Sequence, residues 1–260
     1  MTMPFTLLEK LRLSPEFHRT PDEGTSLMQS VSFVLDGTHM QRPPAICPVI
    51  TLVAIWANNR IAFLDRHTLG AFIFPITQTR VDTQTIAKRT EHLADYVMRV
   101  HLPELLAQGE MHWPSTALAN LPPLRPGDSP RAHLDALQRI SGWVKVETSG
   151  PNTYDVSMRA VQQLRDMLTT YRATKEFPSL TAWQSMLYHS PWNAQPARLL
   201  NELLAIDPPA KESPTQKQVL AKLKQLATRQ EKRLLGALWQ EPPYPFGGSR
   251  PRESAEAPTS

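Results

Sequence analysis

The pattern of hydrophobic and polar positions predicts a chain built mainly from helices. Apolar residues recur three and four positions apart in most segments that are bounded by proline, glycine or capping residues. The clearest of these segments are 49–57, 82–106, 115–121, 178–188, 197–206 and 215–240. Between two helical segments, at 143–157, the apolar residues follow a different spacing.

Residues 129–142 form the most clearly bounded predicted helix. Asp128 or Ser129 supplies an N-cap oxygen, Pro130 fits the first turn, and Gly142 can adopt the left-handed conformation that ends a helix. The helical spacing gives a buried face of Leu134, Leu137 and Ile140, and an opposite face of Arg131, Asp135, Gln138 and Arg139.

The next residues alternate between apolar and polar, which is typical of strands. Trp143 to Glu147 and Tyr154 to Ser157 show this alternation, and the polar segment Ser149 to Asn152 between them contains a glycine. We therefore expect a β-hairpin. The helical period returns after Ser157 and continues to Arg172.

This order of helix, hairpin and helix resembles the winged-helix superfamily. The resemblance rests on the run Ala132 to Met167, with Leu-x-x-Ile-Ser-Gly-Trp-Val, a polar wing and Tyr-Asp-Val-Ser, and it covers about a third of the chain. It implies a mainly α fold with a helix-turn-helix and a β-hairpin wing at about 82–174. The predicted organisation adds a helical region at 1–81, for which a degenerate second winged helix is an alternative, a helical region at 175–240 and a disordered tail at 241–260.

A winged helix suggests double-stranded DNA as the partner, because the major groove is about 12 Å wide and admits an α-helix. We expect Arg131 and Gln138 to contact bases, and Lys145 and Arg159 to contact phosphates. The complete set of predicted DNA-binding residues is Arg131, Asp135, Gln138, Arg139, Lys145, Asn152, Arg159, Lys222 and Arg229. Winged helices also serve as protein-interaction modules, so a scaffold subunit of a larger complex remains the alternative.

The charge distribution agrees with an anionic partner without requiring one. The chain has a formal net charge of +4. Between Lys211 and Arg233 seven basic residues stand against two acidic ones, a local charge of +5. All of these residues except Lys211 and Glu212 belong to the predicted amphipathic helix 215–240, whose leucine stripe must be buried somewhere. Folding back on the chain, a protein partner and a homodimer are the alternatives for that stripe.

Composition limits the other classes of function. The single cysteine, Cys47, excludes an internal disulfide and any multi-cysteine zinc site, which fits a reducing cytoplasm. We find neither a signal peptide nor an apolar run long enough to cross a membrane, so a cytoplasmic location without membrane contact is expected. The spacing of the eight histidines does not suggest a metal site, and we expect no metal, cofactor or small-molecule ligand.

The sequence contains no recognisable catalytic motif, so we expect no enzymatic activity. No lysine lies two positions after any Asp or Glu, which excludes the Glu-x-Lys pair of restriction-type nucleases. Asp65-Arg66-His67, followed by His92 and Tyr96, resembles the arginine-histidine box of tyrosine recombinases. The spacing is wrong for that family, because His92 and Tyr96 are only about one helical turn apart.

A weaker resemblance concerns the longer order of elements. An apolar helix ending at Trp56, the segment Phe63 to Ile73, the predicted wing, and Phe177 with Trp183 and Tyr188 are similar to the multi-winged-helix recognition region of some type IIS restriction endonucleases. The nuclease half is absent, so this resemblance implies a recognition module. The predicted role is a DNA-binding regulator, or a recognition subunit of a bacterial mobile-element or defence system.

Overall fold

The computed structural model describes residues 7, 10–15, 18–79, 81–147, 153–188, 195–206 and 214–239. The described residues confirm the mainly helical prediction. They contain no β-strand, and their only bridge of the β type pairs Leu13 with Thr25. The predicted winged helix is therefore wrong, and the possible second winged helix at 1–81 likewise has no strands in the residues described. No helix among them is long and apolar enough to cross a membrane.

Among the described residues of the N-terminal region, three α-helices have defined bounds. Helix α1 is Leu27–Asp36, α2 is Pro48–Arg60, a 3-10 helix follows at Phe63–Phe72, and α3 is Ile73–Thr77. Ser26 begins α1 through a capping box with Gln29, and Gly37 ends it in the left-handed conformation with φ +81°. The side chain of Asn58 joins the two longer helices, because its Oδ1 accepts from the Leu27 amide at 3.0 Å.

A long helix with an interruption crosses the middle of the molecule. It comprises α4 at Thr83–Tyr96, a π-helical turn at Val97–His101 and α5 at Leu102–Gln108. Asp82 caps its start by accepting from the Thr85 amide at 2.9 Å. The short helix α6, His112–Ala119, packs back against α5.

The predicted hairpin region is instead part of two long helices. Helix α7 is Arg131–Glu147 and α8 is Thr153–Thr174, so both predicted strands lie within helices. Gly142 is inside α7 and does not end it. The predicted wing turn at 149–152 lies outside the described residues. The two helices pack together and bury Leu134, Leu137, Ile140, Ala160, Val161, Leu164 and Leu168.

Three further helices complete the fold. They are α9 at Leu180–Leu187, α10 at Pro196–Leu204 and α11 at Gln216–Trp239, close to the predicted segments. Helix α10 packs on α2 and α4, α9 packs on α2, α4 and α8, and α11 packs on α1. A continuous hydrophobic core runs from Leu7 to Ala227, so the described parts of the three predicted helical regions share one core. The predicted tail 241–260 lies outside the described residues.

Candidate nucleic-acid interface

Four of the predicted DNA-binding residues share an exposed face of α7. Arg131, Asp135, Gln138 and Arg139 are spaced at i, i+4, i+7 and i+8, and all four are exposed. Asp135, Gln138 and Arg139 also border an open depression on the surface. The helical period of the sequence thus predicted this face correctly, although the fold that contains it is different.

The charges on this face partly cancel. Arg131 Nε lies 3.9 Å from an Asp135 carboxylate oxygen, and the two side chains are 85% and 62% exposed. The Arg139 Nε donates to the backbone oxygen of Asp135 at 3.3 Å. An ion pair this exposed contributes at most about 1 kcal/mol, so Arg131 can exchange Asp135 for another anion at low cost.

Three of the DNA-binding residues were predicted to lie on or beside the wing. Lys145 lies in the last turn of α7, and its side chain is outside the described part of the chain, as is Asn152. Arg159 is exposed on α8. Because both predicted strands lie within helices, Lys145 and Arg159 are not on a hairpin that could approach a DNA backbone.

Lys222 and Arg229 hold α11 against α1. Lys222 Nζ donates to the Leu35 backbone oxygen at 3.2 Å, close to the C-terminal end of α1. The Arg229 guanidinium lies 5.5 Å from the centre of the Phe33 ring, within the range of a cation–π contact. The structure therefore gives both predicted DNA-binding residues on α11 a contact with α1.

The same helix carries three other lysines that sequence reasoning did not select. Lys217, Lys224 and Lys232 are exposed, and at 100° per residue they fall within one sector of α11, opposite Val219, Leu223 and Leu226. We call these three residues the lysine stripe. No described acidic residue forms an ion pair with any of them. Their seven- and eight-residue spacing opposite the leucines is the signal in the sequence that could have found them.

Two other basic residues, Arg66 and Arg89, are buried and donate hydrogen bonds inside the protein. Arg89 is 1% exposed and donates to the backbone oxygens of Leu203, at 3.1 Å, and Ile206, at 2.8 Å, which caps the C-terminal end of α10. Arg66 does the same for α2 through the oxygens of Asn58, at 3.0 Å, and Ile61, at 2.9 Å. The arginine of the recombinase-like box is thus a buried cap.

Helices α4, α5 and α10 meet at a polar cluster that the sequence did not predict. His92 Nε2 is 3.1 Å from Glu202 Oε2, and Arg198 Nε donates to Glu202 Oε1 at 2.9 Å. Burial opposes ionisation of Glu202, but the hydrogen bonds from Arg198 and His92 keep its pKa below the usual value. Burial also raises the pKa of Glu104, and burial with the nearby Glu104 charge raises that of Tyr96 to about 12.

The described residues of this cluster connect two helices and do not form a set of metal ligands. The contact between His92 and Glu202 links α4 to α10, next to the Arg89 cap. Across the described residues, no group of three or more His, Cys, Asp and Glu side chains is placed to hold a metal ion.

No protein-family model matches the chain, and no curated protein or solved structure is detectably similar to it.

Proposed function

We propose that this protein binds double-stranded DNA, and that the lysine stripe on α11 makes its main phosphate contacts. The observation that supports the proposal is the charge of this one helix. Gln216–Trp239 contains six basic residues and one acidic residue, a local charge of +5. The protein would act in the cytoplasm as a regulator or recognition subunit, without a catalytic step of its own. Its single cysteine is buried and free, which suits a reducing compartment.

The availability of the charges supports the same site. Lys222, Arg229 and Arg233 face α1 and its neighbourhood, where Arg233 lies 3.7 Å from Glu23. The lysine stripe faces away from these contacts. At a rise of 1.5 Å per residue, its three lysines span about 22 Å along the helix axis. A duplex carries one phosphate charge per about 1.7 Å of its axis, so a helix lying along it meets several phosphates.

The α7 face is the second element of the proposal. It carries two arginines, a glutamine and an aspartate, the side chains that pair with base edges in a major groove. We assign it the sequence-dependent part of binding, and the lysine stripe the sequence-independent part. Replacing Arg131 with alanine should therefore weaken binding to some duplexes more than to others.

The salt dependence of binding tests the role of the lysine stripe. We expect the affinity of the full chain for a fluorescent duplex, followed by anisotropy, to fall steeply between about 50 and 200 mM salt. The triple variant Lys217→Gln, Lys224→Gln, Lys232→Gln removes three phosphate contacts. It should reduce the slope of log affinity against log salt by about 2.7.

A matched variant separates position from total charge. Arg19, Arg125 and Arg172 are exposed and lie outside both proposed contact surfaces, so their triple replacement with glutamine removes the same charge elsewhere. We expect the slope to stay within about 0.5 of that of the unmodified chain. If both triple variants lose the same slope, the attraction is diffuse and the lysine stripe is not the site. Absence of binding to any duplex at low salt rejects the function itself.

One observation favours the alternative, a scaffold subunit that binds protein through α11. Leu234 is 36% exposed on the same side of α11 as Leu223 and Leu226, so the apolar side chains on this side of the helix continue beyond the part that α1 covers. A second copy of the chain or a protein partner would bury them. Light scattering tests self-association, and Leu234→Glu should abolish any dimer that uses this surface. A monomer at high concentration would eliminate the homodimer.

A further inference from the structure

A small cavity lies between α11 and the segment that precedes α1. Its volume is about 170 Å³, and it is partly open to solvent. The segment before α1 contributes Arg12, Asp22 and Glu23 to its lining, and α11 contributes Gln230, Arg233 and Leu234. We call it the Gln230 cavity. A single water needs only about 10–15 Å³ measured in this way, so the cavity has room for a small organic molecule.

Gln230 supplies a buried hydrogen-bond donor at this cavity. The residue is 3% exposed, and its Oε1 accepts from the Arg12 backbone amide at 3.1 Å. This bond fixes the orientation of the side-chain amide, because only its oxygen can accept a hydrogen bond. The Nε2 is buried and has no hydrogen-bond partner among the described residues. Buried amide donors in folded proteins are nearly always hydrogen-bonded, so we expect a ligand oxygen to accept from Nε2.

The charged residues at the cavity have both signs. Arg12 and Asp22 are exposed, and none of the ion pairs between described residues involves either of them. Arg233 Nη1 lies 3.7 Å from Glu23 Oε1. Two guanidinium groups and two carboxylates carry no net charge together. A purely anionic ligand would meet both carboxylates and a purely cationic ligand both guanidinium groups, so a ligand with one charge of each sign fits best.

A turn fixes the backbone that carries the two carboxylates. The Glu23 amide donates to the Thr20 oxygen at 3.1 Å. Gly24 then has φ +148°, which favours glycine, and a Cβ at this position would lie 2.8 Å from Nε2 of His18. The close approach of the chain to the histidine ring therefore depends on this glycine, and it holds Asp22 and Glu23 beside the cavity.

We propose that the Gln230 cavity binds a free α-amino acid with a small uncharged side chain. The ligand carboxylate would accept from Gln230 Nε2 and pair with Arg12, whose backbone already contacts the Gln230 amide. The ligand ammonium group would pair with Asp22. Leu234 would contact the side chain of the ligand. The sequence did not predict a small-molecule site, and this proposal does not depend on DNA binding.

Calorimetric titration of the full chain with L-valine tests the proposal, with L-alanine and L-serine as alternative probes. A ligand of about eight non-hydrogen atoms should bind with a dissociation constant in the micromolar to low millimolar range. The matched controls are 3-methylbutanoate, which is valine without its ammonium group, and 2-methylpropylamine, which is valine without its carboxylate. Each control loses a charge-assisted hydrogen bond, so both should bind at least about tenfold more weakly.

Variants of the chain locate the site. Arg12→Gln and Asp22→Asn should each weaken binding of L-valine about tenfold. Gln230→Glu keeps an acceptor for the Arg12 amide but replaces the Nε2 donor with an oxygen, so it should weaken binding at least as much. Arg172→Gln and Asp65→Asn make the same kinds of change at exposed positions outside the cavity, and both should bind L-valine as the unmodified chain does.

The two analogues distinguish direct contact from a structural role. Asp22→Asn should not weaken binding of 3-methylbutanoate, because this analogue has no ammonium group for Asp22 to hold. Weakening of both L-valine and 3-methylbutanoate by Asp22→Asn would contradict the assigned contact. The lysine-stripe variant should bind L-valine normally, which separates this site from the DNA proposal.

Three results would overturn the proposal. These are no binding of the three amino acids at about 10 mM, equal affinities for L-valine and its two analogues, and equal losses in the cavity variants and the control variants. A dimer that Leu234→Glu dissociates, and that binds no amino acid, would assign the cavity to an interface between two copies of the chain. That result would overturn the proposal as well.

Discussion

Buried arginines in this protein act as helix caps. Arg66 and Arg89 each donate to two backbone oxygens near the end of a helix, where such oxygens lack intrahelical partners. A guanidinium group suits this role because its donors have fixed directions and it stays charged at any physiological pH. Burial lowers the pKa of the Arg66 guanidinium.

Replacing Arg89 with alanine should destabilise the fold. The change leaves the oxygens of Leu203 and Ile206 without this donor at a buried position, and we expect the free energy of unfolding to fall by about 2–4 kcal/mol. Denaturant titration measures the change. Lys88→Ala, at the neighbouring exposed position, should change stability by less than about 0.5 kcal/mol. Equal effects would contradict the capping role.

His133 should make stability sensitive to mild acid. Burial lowers its pKa, although the Pro122 oxygen lies 2.9 Å from its Nε2. The unfolded chain then binds this proton at a higher pH than the folded chain, so the contribution is lost as pH falls below about 6.5. His133→Gln should lose less stability than the unmodified chain between about pH 7.5 and 5.5. The exposed His112→Gln should behave like the unmodified chain, and an unchanged pH dependence in His133→Gln would exclude this mechanism.

At the scale of elements, the sequence predicted the long helical segments correctly, but it wrongly predicted a hairpin within two of them. The apolar residues of α2, α8 and α11 recur at helical spacing over several turns, whereas the predicted strands rested on four or five alternating residues each. So short an alternation fits a helix equally well, and packing decides. Here Leu137 and Ile140 already place α7 on α8, and the helix continues through Gly142.

Two glycine substitutions test this difference. A Cβ on Gly142 would meet no atom within 4 Å, so Gly142→Ala should stabilise α7 by about 0.5–1 kcal/mol. The same substitution destabilises the protein where the glycine ends its helix in the left-handed conformation. Gly37 does so with φ +81°, and Gly37→Ala should destabilise by about 1 kcal/mol. Thermal unfolding followed by circular dichroism compares the two, and destabilisation by Gly142→Ala would count against a continuous α7.

The candidate site was predictable only in part for a related reason. Periodicity identifies which side of α7 and α11 is polar, so Arg131 and Gln138 were correctly placed on an exposed face. The periodicity does not tell which basic side chain contacts a neighbouring helix of the chain. Lys222 and Arg229 flank the apolar stripe of α11, and their contacts with Leu35 and Phe33 depend on α1, nearly two hundred residues earlier.

At the scale of the whole molecule, one core predicts one unfolding transition. Helix α10 packs on α2 and α4, and Arg89 bonds to its last turn, so the described parts of the three predicted helical regions depend on each other. Tryptophan fluorescence and far-UV ellipticity should report coincident denaturant transitions. A chain ending at residue 174 should fail to fold and be digested rapidly by protease. Two separated transitions in the full chain would indicate independent domains.

The pairing of α11 with α1 has a consequence for biosynthesis. Lys222 and Leu35 are 187 residues apart in the chain. At about 5–20 residues per second, the ribosome needs about 10–40 s between synthesising the two. During that interval the apolar side of α1 has no α11 to cover it. We therefore expect the nascent chain to depend on chaperones more than most helical proteins of its size.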